Sequence, residues 1–167
     1  MMNVLILCTG NSARSVLAEA IFNRVGKGRF TAYSAGSQPK GDVNPTAVKL
    51  LADLGYDVAQ FRSKSWDEFA GDDAPIMNFV FTVCDSAAGE ACPLWPGGPV
   101  KAHWGLPDPA AVEGTDEDKY LAFLKTYALL SDRIGSFVNL GIEELDDAKL
   151  ARKVKDIGEM PGGTALD

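Results

Sequence analysis

Cys8-Thr9-Gly10-Asn11-Ser12-Ala13-Arg14-Ser15 follows directly on the apolar run Asn3-Val4-Leu5-Ile6-Leu7 and precedes Val16, Leu17, Ala20 and Ile21, which recur at helical spacing. A chain with this order passes from a strand into a helix through a turn of small and polar residues. Such a turn draws successive backbone N–H groups toward one point, and the helix N-terminus adds partial positive charge there. Gly10 permits the tight backbone, and Asn11 tolerates a left-handed φ better than most residues. A thiol held in that field beside Arg14 loses its proton readily, since comparable settings lower a cysteine pKa to roughly 3.5–7.5. Cys8 is therefore expected to be a thiolate at neutral pH. Thr9, Gly10, Asn11, Ser12, Ala13, Arg14 and Ser15 form an oxyanion cradle, in which Arg14 offers a planar fork of donors and Ser15 a hydroxyl for the sulfur.

The remaining pattern alternates strand and helix. Phe30-Thr31-Ala32-Tyr33-Ser34 reads as a second strand, and Asn44-Pro45 opens a helix through Val48, Leu51 and Leu54 that Gly55 ends. Phe79-Val80-Phe81-Thr82-Val83 is apolar enough for a strand covered on both faces, and a fourth strand lies within Val100 to Trp104. Thr115, followed by Asp116, Glu117 and Asp118, caps a long helix with Phe123, Tyr127, Leu130, Ile134 and Phe137 on its core face. This order predicts an α/β fold with a parallel sheet whose ligands bind beyond the carboxyl ends of the strands. Residues 1–140 are read as the domain. Residues 141–167 are read as an extension, with Glu143 and Glu144 in the first turn of a short helix, Arg152, Lys153 and Lys155 near its end, and no fixed structure from Gly158.

A chain of 167 residues suffices for one domain with a real core. Its net charge of −7 argues against nucleic acid or an anionic membrane as partner. An anion approaching it must therefore feel a local field, from Arg14, the loop amides and Lys64. No apolar run is long enough to span a bilayer and no leader pattern is evident, so a cytoplasmic monomer is expected.

Three cysteines are present. Cys84 follows the third strand and so points at the same sheet edge as Cys8, and Cys92 lies beyond a stretch of small residues with Gly89. In continuous helix, Cys84 and Cys92 would stand roughly 12 Å apart. A disulfide needs Cα atoms within about 7 Å, so pairing requires the stretch to unwind. The three thiols suggest a relay in which Cys8 attacks the oxyanion centre, Cys84 attacks the Cys8 adduct, and Cys92 takes the disulfide from Cys84. The other dense cluster is His103-Trp104-Gly105-Leu106-Pro107-Asp108-Pro109, where two prolines stiffen the loop around Asp108. His103 is expected to support rather than to react, and Trp104 to pack near the loop.

The octet, together with Asp108-Pro109, resembles the low-molecular-weight tyrosine phosphatase family, its arsenate reductase branch in particular, from about Asn3 to about Val138. The resemblance implies a flavodoxin-like three-layer sandwich with a four-stranded parallel sheet, and makes Asp108 the general acid. It matches Cys8, Cys84 and Cys92 to the nucleophile and two resolving thiols of thioredoxin-coupled arsenate reductases. The segment between Cys84 and Cys92 is a residue longer than in those enzymes, so thioredoxin and glutathione with glutaredoxin both stand as reductants. Ala110-Ala111-Val112 replace the aromatic residues that flank a phenyl ring in the phosphatases, which favours a small inorganic oxyanion. Some members of the branch hold potassium behind the loop. Asn11, Glu19 and Ser34 match three of its ligands, with Ser15 nearby in the loop's support, and Lys64 stands where an aspartate would be. A lysine there implies no metal.

The expected activity is reduction of arsenate to arsenite, with phosphate or sulfate as binding analogues and no metal or organic cofactor. A phosphatase acting through a cysteinyl phosphate on small phosphoesters or phosphotyrosine, and an inactive oxyanion-binding or redox-sensing module, are the alternatives.

Overall fold

The octet joins β1 (Met2–Leu7) to α1 (Arg14–Val25). The structure, a computed structural model, describes residues 1–89, 93 and 95–164. Three further strands, β2 (Phe30–Ala35), β3 (Phe79–Thr82) and β4 (Val100–His103), lie parallel to β1 in the order β2-β1-β3-β4. Four helices complete the frame: α2 (Pro45–Asp53), α3 (Asp85–Gly89), α4 (Asp116–Val138) and α5 (Asp147–Gly158).

Side chains alternate across each strand, and in the central strands β1 and β3 both sets are buried. Val4, Ile6, Phe79 and Phe81 face a core shared with α1, α2, α4 and α5, whereas Leu5, Leu7 and Val80 pack with Phe69, Met77 and Trp95 on the other side. Sheets covered on both faces read as unbroken apolar runs, which is why β1 and β3 do so in the sequence. Phe137 of α4 meets Phe22, Phe79, Phe81 and Trp104 nearly edge-on, and this aromatic group clamps the long helix to the sheet.

The helix ends follow their sequence signals. Asn44 accepts from Thr46 N and Ala47 N to cap α2, and Thr115 and Asp118 form a reciprocal capping box at α4. The acidic pair Glu143 and Glu144 departs from expectation. It lies in a 3-10 turn, Ile142–Glu144, and α5 starts only after Asp146, whose side chain accepts from Lys149 N at 2.8 Å.

α5 buries Leu150, Val154 and Ile157. Trp104 also departs from expectation: it stacks on Phe81 in the core and donates from Nε1 to Val154 O at 2.9 Å, which ties α5 to the sheet. The run from Gly158, expected to be without fixed structure, is held as far as Thr164. Arg133, wholly buried in α4, donates to Met160 O at 2.8 Å, and Thr164 N donates to Gly105 O at 2.9 Å. A buried guanidinium needs acceptors, and the tail just past α5 supplies backbone carbonyls.

β1 lies between β2 and β3: the chain steps from β1 to β2 on one side and then crosses back from β2 to β3 on the other. The crevice above their carboxyl ends is where such sheets bind ligands.

Candidate active site

Cys8 sits just past β1, with its amide donating to Ala35 O at 3.2 Å. The loop carbonyls beyond it are taken up from outside: Gln38 N donates to Thr9 O, Lys40 N to Gly10 O and Asn44 N to Ser12 O, at 3.0, 3.0 and 2.8 Å. A trans peptide sets N–H opposite C=O. The amides of Gly10, Asn11 and Ala13 therefore turn inward. Ala13 precedes α1 with no side-chain cap, so the first-turn N–H groups also remain directed at the pocket. Gly36 makes room for this loop, because a Cβ there would collide with the Thr9 and Cys8 carbonyls.

The left-handed residue is Asn11, at φ 43°; Gly10 does not need positive φ. A left-handed residue costs about 1–2 kcal/mol. Asn11 offsets this with three hydrogen bonds of about 0.5–1.5 kcal/mol each: Nδ2 donates to Ser15 Oγ at 2.9 Å and to Ser34 Oγ at 3.0 Å, and Oδ1 accepts from Lys64 N at 2.9 Å. Ser15 thus supports the loop. Behind Asn11, the Lys64 ammonium lies 3.7 Å from Glu19 Oε1 and 3.5 Å from Ser34 Oγ and donates to Arg62 O, while Ser34 N donates to Glu19. Burial pushes Glu19 up and Lys64 down, and their mutual attraction opposes both shifts. Lys64 does not itself line the pocket.

The pocket itself, about 290 Å³, is lined by the loop from Cys8 to Arg14 and by Gln38, Lys40, Cys84, Ser86, Asp108 and Ala110. Arg14 Nη1 donates to Leu106 O at 2.8 Å, and Nη2 stands 3.8 Å from Asp108 Oδ2. Its Nε is buried without a partner among the described residues, a donor left for an anion. Asp108 Oδ1 accepts from Ala110 N at 3.0 Å, which orients the half-exposed carboxyl over the pocket. Cys8, Arg14, Asp108 and Cys84 thus share one cavity. Cys92 lies outside the described residues. Gln38, Lys40 and Ser86 were not picked out from the sequence, although the topological rule points to the segments after β2 and β3. Lys40 joins Arg14 as the second cation at the pocket, its stem lying across Gly10.

Cys8 and Cys84 hydrogen-bond to one another, and Cys84 Sγ also accepts from Thr9 N and Ala87 N, each at 3.4 Å. The bond from Cys8, with those amides, pulls Cys84 down to about 5. The same bond, with burial, pushes Cys8 up against the pull of Arg14 and the Gly10 amide. The two thiols therefore titrate as a pair, with one proton shared between the sulfurs.

A family model described as low molecular weight phosphotyrosine protein phosphatase matches residues 3–155. The chain belongs to this family. Arsenate reductase of Halalkalibacterium halodurans is 37% identical over 138 residues, which cover 83% of this chain and 96% of that protein. The crystal structure of arsenate reductase from Archaeoglobus fulgidus aligns with a TM-score of 0.64 at 28% identity, covering 82% of this chain and 99% of that one. Low molecular weight protein tyrosine phosphatase from T. tengcongensis aligns at 0.63 with 26% identity, over 87% and 100% of the two chains. The family thus includes relatives named for two activities, and the second thiol on the loop cysteine is what bears on the choice between them.

Iodoacetamide labelling across pH, read by peptide mass spectrometry, tests the shared charge. Cys84 should label with a midpoint near about 5. In Cys8→Ala the Cys84 midpoint should rise, because its donor is gone, and in Cys84→Ala the Cys8 midpoint should fall. Midpoints that stay put in both variants contradict the pairing.

Proposed function

We propose that this protein reduces arsenate to arsenite, and the observation that carries the proposal is that a second free thiol, Cys84, lines the oxyanion pocket together with Cys8. A phosphatase needs the loop cysteine, the arginine and the acid. A second thiol beside the nucleophile is placed for thiol exchange, which a phosphatase does not require. The exposed run Ala110, Ala111 and Val112 beside the pocket also leaves a phenyl ring without an aromatic wall.

Arsenate is held by the inward amides, the Arg14 fork and, at the rim, Lys40. The Cys8 proton passes to Cys84 along their hydrogen bond, which makes Cys8 the thiolate. Cys8 Sγ forms a bond to arsenic as an arsenic–oxygen bond breaks, and the departing oxygen leaves as water after taking a proton from Asp108. Cys84 gives up its proton to an oxygen on arsenic and attacks Cys8 Sγ. The sulfur–arsenic bond then breaks with its electron pair left on arsenic, so arsenic goes from As(V) to As(III) while two thiols become the Cys8–Cys84 disulfide. Cys92 next attacks Cys84 Sγ, releasing the Cys8 thiolate. Two electrons from thioredoxin, or from glutathione with glutaredoxin, return the Cys84–Cys92 disulfide to thiols. A reducing compartment, the cytoplasm, suits such chemistry. Phosphate fits the same cradle but is not reduced by thiols.

NADPH consumption on adding arsenate, run in parallel with thioredoxin and thioredoxin reductase and with glutathione, glutaredoxin and glutathione reductase, tests the proposal. Turnover in one arm is expected and names the donor. Cys8→Ser should abolish it, Cys84→Ser and Cys92→Ser should abolish reduction while sparing hydrolysis of p-nitrophenyl phosphate, and Asp108→Asn should lower it by about 10²–10⁴. No turnover in either arm, with p-nitrophenyl phosphate hydrolysed, contradicts the proposal.

Lys64 is proposed to take the place of a potassium ion behind the loop, supported by its ammonium lying between Glu19 and Ser34. Activity and melting temperature should then be the same in sodium and in potassium salts. A specific gain in potassium contradicts this role.

A further inference from the structure

Asp85, the residue after Cys84, opens α3 and is tied from two sides. Its Oδ1 accepts from His103 Nε2 at 2.7 Å and from Thr164 Oγ1 at 2.8 Å. With the imidazole proton on Nε2, the Thr82 hydroxyl donates to Nδ1 at 2.7 Å, so the ring is fixed at both nitrogens. Burial acts against the Asp85 charge, but the bonds from Thr164 and His103 outweigh it and hold the carboxyl below the usual carboxylate range.

Thr164 reaches this point because the strap leading to it is anchored along its length. Arg133 Nη2 donates to Met160 O at 2.8 Å and to Pro161 O at 3.5 Å, and Thr164 N donates to Gly105 O. The fit is close. A Cβ on Gly105 would run into the Thr164 hydroxyl, the His103 ring and the Asp85 carboxylate, and a Cβ on Gly163 would stand 2.7 Å from Arg133 Nη2. The described part of α3, Asp85–Gly89, is little more than one turn, and a turn of that length has no stability of its own in water. Its place depends on anchors from elsewhere in the fold. From this turn the Ala87 amide aims at Cys84 Sγ, whose other side meets Cys8 and Thr9 N.

We propose that Thr164 is a positioning residue for Cys84: the C-terminal strap ties down Asp85, and with it the turn of α3 that aims an amide at the Cys84 sulfur and keeps that sulfur on Cys8. The inference rests on reading Cys84 as the thiol that attacks the Cys8 adduct. It assigns the strap a part in the reaction although neither Thr164 nor Arg133 lines the pocket.

Thr164→Val removes the hydroxyl at nearly constant shape, and Thr164→Ser keeps it. In the full chain, Thr164→Val should lower kcat for arsenate reduction roughly three- to tenfold, the range of one hydrogen bond, with KM for arsenate unchanged. It should also raise the pH midpoint of Cys84 labelling by iodoacetamide, because the Ala87 donor is no longer aimed. Thr164→Ser should match the wild type in both. Wild-type kcat and midpoint in Thr164→Val, or a Thr164→Ser protein as impaired as the valine variant, overturns the proposal. The labelling arm needs no arsenate. If the unaltered protein does not reduce arsenate, the midpoint still decides the positioning role while the proposed activity fails separately.

Discussion

Leu7 lies opposite Thr82 where β1 runs parallel to β3, and this register governs what meets above the sheet. It brings the residues just past each strand, Cys8 and Cys84, to one edge and within hydrogen-bond reach. A slip of one residue would turn every side chain of β3 to the opposite face, placing Phe79 and Phe81 on the wrong core. The aromatic packing of Phe81 against Trp104 and Phe137 therefore holds the thiol pair in register, although none of these rings lines the pocket.

The electrostatics of the pocket follow from that pairing. Two thiols sharing a proton hold one negative charge, and an arsenate dianion has to enter beside it. The inward amides, the Arg14 guanidinium with its unpaired Nε, and the Lys40 ammonium act over a few ångströms. The protein's net charge of −7 is spread over a surface where solvent screens it beyond roughly 8–10 Å. The ion pair of Lys64 and Glu19 serves a different purpose. It lies behind Asn11 and stabilises the one left-handed turn on which the inward direction of the amides depends.

Much of this was legible in the sequence because the signals are local. The strand before Cys8, the helix after Arg14, the proline at the start of α2 and the capping residues of α4 each declare themselves within a few positions, and the parallel order then gathers the octet, Cys84 and Asp108 at one edge. What was not legible depends on contacts between distant segments. Cys8 titrates together with Cys84, a residue 76 positions away, and local reasoning about the octet does not show that partner. Lys40 enters the site through the backbone bond of its amide to Gly10 O, which no composition or spacing announces. The strap was misread for the same reason: Gly158 to Thr164 is polar and rich in glycine, as free tails are, and only the buried Arg133 shows why it stays.

The central claim is that Cys8 and Cys84 exchange electrons with one bound arsenate. A single turnover of the Cys92→Ser protein with one equivalent of arsenate, quenched in acid and read by peptide mass spectrometry alongside arsenic speciation, tests it most directly. The account predicts a Cys8–Cys84 disulfide and an equal amount of arsenite. Free thiols at both positions with arsenate recovered unchanged would contradict it.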